Sequence, residues 1–315
     1  MSDRLNPVIS VPSDVCAVIT TYRPDDGFPD RVQRVRSQVG LVVIVDDGES
    51  ADNVARLQVW FSKTMGVILH HNEVNIGVAA ALNKGVSIAK SEGYRWVLTL
   101  DDDTVVALDM VKNLIETWNL AAGQAGKPVA IMGMAYRDRY TGEMEACPTD
   151  GRLLVEKRGI VTSGSFLPMD VYDRIGLFRE EFVIDSVDYD FCLRARAAGF
   201  RVVKVCRLGM THSVGYKFKR RFGWLTMETT NHSPLRRYYA YRNAIVLARE
   251  HFRRDPLYSM AVFTFQLRTL FLVLLLENNR CKKMKYIFNG ILDGWRGRLG
   301  KLSNERNAII EEKNG

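Results

Sequence analysis

The chain has 315 residues, 47% hydrophobic and 25% charged, with 24 Gly and 9 Pro, and that usage excludes collagen-like, low-complexity and disordered chains. The length fits two domains, or one large α/β domain with an appendage, and either can bury a sizeable core. Of the net charge of +8, residues 215–301 contribute +13 (18 Lys and Arg against 5 Asp and Glu), which leaves an acidic body at −5 and a basic C-terminal stretch. Such asymmetry points to an anionic partner, nucleic acid or phospholipid headgroups, with solvated surface charge as the plainer alternative.

In chain order, residues 1–12 place Asp3, Arg4, Asn6 and Pro7 where a signal peptide needs an apolar core, so a cytoplasmic location is expected. The runs 15–20, 41–45, 66–70 and 96–100 are short, apolar and rich in β-branched residues, which predicts strands buried on both faces. Helical stretches lie between them, the last over 76–90. After the fourth run, Val111, Leu114, Ile115 and Trp118 fall at helical spacing. Strand and helix in alternation predict a parallel sheet with right-handed crossovers. Further on, 200–205 reads as a strand and the stretch after Phe191 as a helix. Cys16, Cys147, Cys192, Cys206 and Cys281 are odd in number with no C-x-x-C pair, so neither a disulfide framework nor a zinc cluster is expected, only reduced and mostly buried thiols.

In sheets of this kind ligands bind outside the carboxyl ends of the strands. Those ends carry Thr20-Thr21-Tyr22-Arg23, Asp46-Asp47-Gly48, His71-Asn72 and Asp101-Asp102-Asp103. Neither G-x-G-x-x-G nor a P-loop follows the first strand, so phosphate must be held another way. The triplet Asp101-Asp102-Asp103 can face a hard cation that leaves sites open for phosphate oxygens. An acidic triplet also caps helices, and spacing alone does not separate the two. Asp185, Asp188 and Asp190 form a second acidic group at the start of a helix, where carboxylates are favoured in any case. Arg194 is placed to pair with Asp185 or Asp190. His212, just past the strand that begins near Phe200, can add an imidazole ligand or serve as a core histidine.

Together, 15–22, 43–50, Asn75-x-Gly77 with Asn83-Lys84-Gly85, 100–103, Thr162-Ser163-Gly164-Ser165, 176–194 and His212-x-x-Gly215 resemble the family 2 glycosyltransferases of the GT-A fold. Residues 182–188, 231–239, Arg242-Asn243 and 290–298 are similar to the bacterial rhamnosyltransferase branch of that family. The resemblance implies a catalytic domain over 1–215, with a nucleotide-sugar half at about 15–103 and an acceptor half at about 104–215. Residues 216–315 would be a helical basic and amphipathic extension. It further implies a mostly parallel, Rossmann-like sheet with helices on both faces.

By the same resemblance, Thr21, Tyr22 and Asp46 would hold the nucleoside, with Asp46 accepting from the pyrimidine imide N–H. Asn75, Gly77 and Asn83 would shape the loop near ribose and diphosphate. Asp101 and Asp102 would face ribose and sugar, and Asp103 and His212 would bind Mg²⁺ or Mn²⁺. The family pattern is D-x-D, with Gln common as the middle residue among rhamnosyltransferases; here it is Asp102. Asp188 falls at the position of the general base. Ser163, Gly164, Asp185 and Trp224 would lie toward the acceptor. The implied reaction transfers L-rhamnose with inversion from dTDP-rhamnose to a glycolipid, lipopolysaccharide or lipid-linked glycan; a UDP-hexose or UDP-galactofuranose donor, or a non-catalytic sugar-binding module, are the alternatives.

The basic end-piece interleaves aromatic and cationic residues over 216–224 and holds an apolar run at 270–276, bounded by Arg268 and Glu277. Seven residues fall short of the ~20 that a spanning helix needs. A helix lying in the interface is expected instead, with Arg280, Lys282, Lys283 and Lys285 on anionic headgroups, peripheral to the inner face of the cytoplasmic membrane. A packed helical subdomain or a homo-oligomer interface is the other reading. Nucleic acid is not expected, for want of a recognisable binding module. Trp224 and Tyr238 are either platforms for an acceptor ring or core aromatics.

Overall fold

The four apolar runs become parallel strands, three of them buried on both faces with no polar alternation to expose and the third in chain order, at the sheet edge, partly buried. In the computed structural model, which describes residues 7–48, 50–212, 218–222 and 225–312, they are β1 (Val15–Thr21), β2 (Leu41–Asp46), β3 (Val67–His71) and β4 (Trp96–Asp101). The helices α1 (Phe28–Arg36), α2 (Ala51–Phe61) and α3 (Val78–Ser91) connect them. The register sets Thr21 opposite Asp46, Asp46 opposite His71 and Thr20 opposite Asp101. All the polar strand ends therefore lie along one edge.

Helices cover both faces of this half. Val15, Ala17, Val42, Ile44 and Leu98 share a core with Phe28 and Val32 of α1 and Leu57 of α2. On the opposite face α3 comes so close that a Cβ at Gly85 would sit 2.3 Å from a Val18 methyl.

The sheet continues through β5 (Val105–Val106), α4 (Met110–Ala122), β6 (Val129–Asp138), β7 (Leu154–Glu156), β8 (Ser165–Pro168), α5 (Met169–Ile175), α6 (Val187–Ala197) and β9 (Arg201–His212). Its order is β3-β2-β1-β4-β8-β6-β9-β5, with β7 paired to β9. The sheet is mostly parallel, as expected, with an antiparallel member at its centre: β8 runs antiparallel to both β4 and β6, while β6 and β9 are parallel. Trp96 stacks on Phe166 at 5.1 Å and meets Trp118 edge-on at 4.9 Å, which welds β4, β8 and α4 together. The cysteine expectation is corrected. Cys147 and Cys206 are disulfide-bonded across 59 residues. β9 brings Cys206 beside Leu153, whose carbonyl accepts from the Cys206 N–H at 2.7 Å. Cys16 and Cys192 are free and buried, and Cys281 is free and exposed.

The chain divides into two compact units, Met1–Arg179 with Asp188–Ser213, and Glu180–Val187 with Val214–Gly315. The second unit holds the antiparallel pair β10 (Phe218–Phe222) and β11 (Leu225–Thr229), followed by α7 (Pro234–His251), α8 (Pro256–Leu276), α9 (Arg280–Arg296) and α10 (Asn304–Glu312). The seven-residue apolar run is part of α8. That helix is 21 residues long and has a mean hydropathy of 1.8 in its most apolar window, which makes it long and apolar enough to cross a membrane by length and composition. Arg268 is a single charge that the helix carries through, so its apolar length exceeds the seven-residue run. Tyr238, Tyr239, Tyr286, Leu302 and Ile310 form this unit's core with Val183. Tyr238 is thus a core residue whose hydroxyl donates to Asp293 at 2.7 Å, not an exposed ring platform. Trp224, Gly215 and the ends of the 216–224 stretch lie outside the described residues.

Candidate functional site

The carboxyl edge of the first unit gathers most of the residues singled out above. Asp101 ends β4 and Asp103 follows it, while His212 ends β9, which pairs with β5 just beyond them. Their ligand atoms all lie within 4.8 Å of one another. His212 Nε2 is 3.7 Å from Asp101 Oδ2, and Nδ1 is 3.3 Å from Asp103 Oδ1 and 3.0 Å from the Thr104 hydroxyl. Burial alone disfavours the imidazolium, but the bond to Asp103 and the charges of Asp101 and Asp103 outweigh it and hold the His212 pKa above its ordinary value.

Two carboxylates and an imidazole are a donor set for Mn²⁺ or Mg²⁺, and three protein ligands leave coordination positions open. The residues fit such an ion. Ser163 orders them from behind: its hydroxyl accepts from the Asp101 N–H at 3.1 Å and bonds Thr104 at 2.7 Å. Arg139 ties the same corner, donating through its side chain to the Asp103 carbonyl and through its N–H to the His212 carbonyl. Asp101 joins the ligand set here beside Asp103 and His212.

Asp102 faces the other way. Its Oδ2 accepts from the Thr21 hydroxyl at 2.8 Å and the Tyr22 N–H at 3.1 Å, so it closes the β1 end. Burial raises its pKa against the lowering effect of those two donors. The Tyr22 ring is exposed, with the Arg23 guanidinium 5.1 Å above it.

Asp46 stands where expected but has 0% exposure. Its oxygens accept from Gly48 N and Asn53 Nδ2, and His71 Nδ1 lies 2.8 Å from Oδ2. It therefore locks the β2 turn in this structure and offers no open carboxylate to a base. Asp47, not singled out from the sequence, organises the next loop. It accepts from Asn72 Nδ2, Ile76 N and Gly77 N, while its carbonyl accepts from Asn75 Nδ2. Gly77 opens α3 at φ 91°, ψ 158°, a conformation that side chains exclude. Asn75 and Gly77 are thus both held by Asp47, at the start of a helix whose N–H groups suit phosphate. Asn83 does not join them, because both ends of its amide are taken by the Phe178 backbone at 2.8 and 2.9 Å.

Asp188, in the first turn of α6, lines a small cavity with Thr162, Ser165, Phe178 and Phe191. Thr162 and Ser165 belong to the same turn as Ser163 and Gly164, and that turn is pinned to β4 by the Gly164 N–H on the Thr99 carbonyl at 2.8 Å. One side of the turn therefore meets the Asp101 backbone while the other borders Asp188. Arg194 pairs with buried Asp190 at 2.8 Å and not with Asp185. Asp185 belongs to the second unit, where Arg236 grips both its oxygens at 3.1–3.3 Å. An Arg236 clamp on Asp185 has no local signature, because 51 residues separate the partners.

Residues 16–170 match the model of the family described as Glycosyl transferase family 2. Over 305 residues the chain is 27% identical to dTDP-rhamnosyl transferase RfbF of Shigella flexneri, covering 91% of this chain and 97% of that protein. Its structure is similar to that of S. aureus TarS 1–349 in complex with UDP-GlcNAc (TM-score 0.58, 13% identity, 94% of this chain and 83% of that one). GalNAc-T7 with UDP, GalNAc and Mn²⁺ is also similar (TM-score 0.53, 14% identity, 72% of this chain and 47% of that one). At such identities the two structures speak to the fold alone.

Proposed function

The chain is a glycosyltransferase of the GT-A fold that carries a family 2 domain over residues 16–170, and on that premise we propose that it transfers L-rhamnose from dTDP-β-L-rhamnose, with inversion, to a hydroxyl of a lipid-borne glycan. The observation that carries the reaction type is the Asp101, Asp103 and His212 cluster at a strand-end edge beside the Asp47-ordered loop. Support for the donor is the 27% identity to a dTDP-rhamnosyl transferase along nearly the whole of both chains.

In this reading Asp188 takes the proton of the acceptor hydroxyl as its oxygen attacks the anomeric carbon, and the bond to dTDP breaks on the opposite face. A single displacement needs one base, and positioned base catalysis is worth about 10²–10⁴-fold. Asp101, Asp103 and His212 would hold Mg²⁺ or Mn²⁺, which supplies neutralising charge for the departing diphosphate. The N–H groups at the start of α3 offer the diphosphate further donors. Ser163 and Thr104 keep His212 and Asp101 in place, and Arg139 fixes the backbone that carries Asp103.

The test is transfer of radiolabel from dTDP-rhamnose into a bacterial lipid extract by the purified chain with Mn²⁺. Labelled lipid product that disappears with EDTA is the expected result. Label transferred only from UDP-glucose or UDP-galactofuranose would overturn the rhamnose assignment and keep the mechanism, whereas no transfer from any donor would overturn both.

A further inference from the structure

Helix α8 is apolar on two sides, and among the described residues only one of them is packed. Tyr258, Ser259, Leu272, Val273 and Leu276 are buried, and the helix is tied to α7 by the Ser259 hydroxyl on the Ala248 carbonyl at 2.8 Å and the Tyr241 hydroxyl on the Gln266 carbonyl at 2.9 Å. On the other side Met260, Phe263, Leu267, Phe271 and Leu274, spaced by three and four residues, form one continuous stripe and are 39–65% exposed. Helices that face water carry polar residues there, and an apolar patch of this size marks an interaction surface.

The charge around the stripe says what covers it. Arg253 and Arg254 precede the helix, Arg268 borders the stripe, Arg280 and Lys282 follow it, and all five are exposed. The acid at the helix end, Glu277, is 1% exposed and is consumed by Arg237 and Lys283. Lys283 itself is buried by that pairing, which removes it from the headgroup contacts expected of it. We propose that the Met260–Leu274 face of α8 docks on an anionic phospholipid surface, with the helix lying in the interface plane and the five cations on headgroups. Spanning is disfavoured because one side of the helix is committed to α7 and Arg268 sits near its middle. A symmetric dimer through the same stripe would set the two cationic collars against each other.

The inference is independent of the donor, so its test uses no nucleotide sugar. The full chain is sedimented with vesicles of phosphatidylcholine, or of phosphatidylcholine with phosphatidylglycerol, at low and high salt. Binding to the anionic vesicles only, weakened by salt, is expected. Arg280→Ala and Lys282→Ala should each weaken it about five-fold. Leu267→Ser with Phe271→Ser should abolish it while thermal melting stays unchanged. Equal binding to neutral vesicles, no binding to either, or a solution dimer that Leu267→Ser with Phe271→Ser dissolves would overturn the proposal.

Discussion

His212 is buried against two carboxylates, an arrangement that costs desolvation energy unless a cation takes the place of solvent. Asp103→Ala should therefore abolish the Mn²⁺-dependent part of donor binding, as read by calorimetry. Asp188→Asn keeps shape and removes the base, so kcat should fall about 10²–10⁴-fold with KM for the donor little changed; a rate near wild type would remove Asp188 from the mechanism. His232 reports on the second unit. Burial, then Arg236 and Arg237, push its pKa from 6.5 down to about 3. The unfolded chain binds that proton and the folded chain refuses it. The contribution to stability is thus complete above pH 6.5 and declines as pH falls from 6.5 toward 3. His232→Gln should flatten the Tm profile across that window. At this scale the sequence shows Asp101, Asp103 and His212, because strand ends and acidic runs are local features. It does not show that Asp46 and Asn83 are enclosed, nor that Asp47 orders the following loop, because those facts depend on hydrogen bonds between segments 25 to 95 residues apart.

Segment 183–186 has an unusual conformation with a visible cause. Val183, Asp185 and Ser186 adopt φ of 65°, 64° and 63°, which L side chains resist. Asn243 donates to the carbonyls of Phe182, Ile184 and Asp185, each at 2.9 Å, and Arg242 donates to those of Glu181 and Phe182. Asn243→Ala strips buried acceptors of their donor and should cost about 3 kcal/mol in urea unfolding; a loss under about 1 kcal/mol, the scale of one ordinary hydrogen bond, would mean that the segment holds itself. The family-like stretch at 290–298 also has a structural account: a Cβ at Gly290 would lie 2.4 Å from the Tyr238 carbonyl oxygen, and one at Gly294 2.7 Å from that of Arg242. Close approach of α9 to α7 is why those two positions are glycine. The four long strands and the helices of the first 122 residues were legible from apolar runs and helical spacing, whereas the two-residue β5 was not. The length of α8 was not, because a lone Arg268 looks like a boundary in sequence although a long helix tolerates it.

At the scale of the molecule, the β1 to β4 half of the sheet follows the strand-helix rhythm that the sequence displays, and its polar strand-end edge follows from that. The other half does not, since β8 enters antiparallel between β4 and β6 through contacts that no local pattern encodes. The Cys147–Cys206 bond belongs to the same class of long-range fact. Both halves meet at the cluster formed by β4 and β9, which is where the account stands or falls. The most direct measurement is calorimetric titration of the full chain with dTDP-β-L-rhamnose, with Mn²⁺ or with EDTA, beside Asp103→Ala and His212→Ala. Binding with Mn²⁺ that EDTA and either substitution remove is the expected result. Equal binding in EDTA, or binding unchanged in both variants, would contradict it.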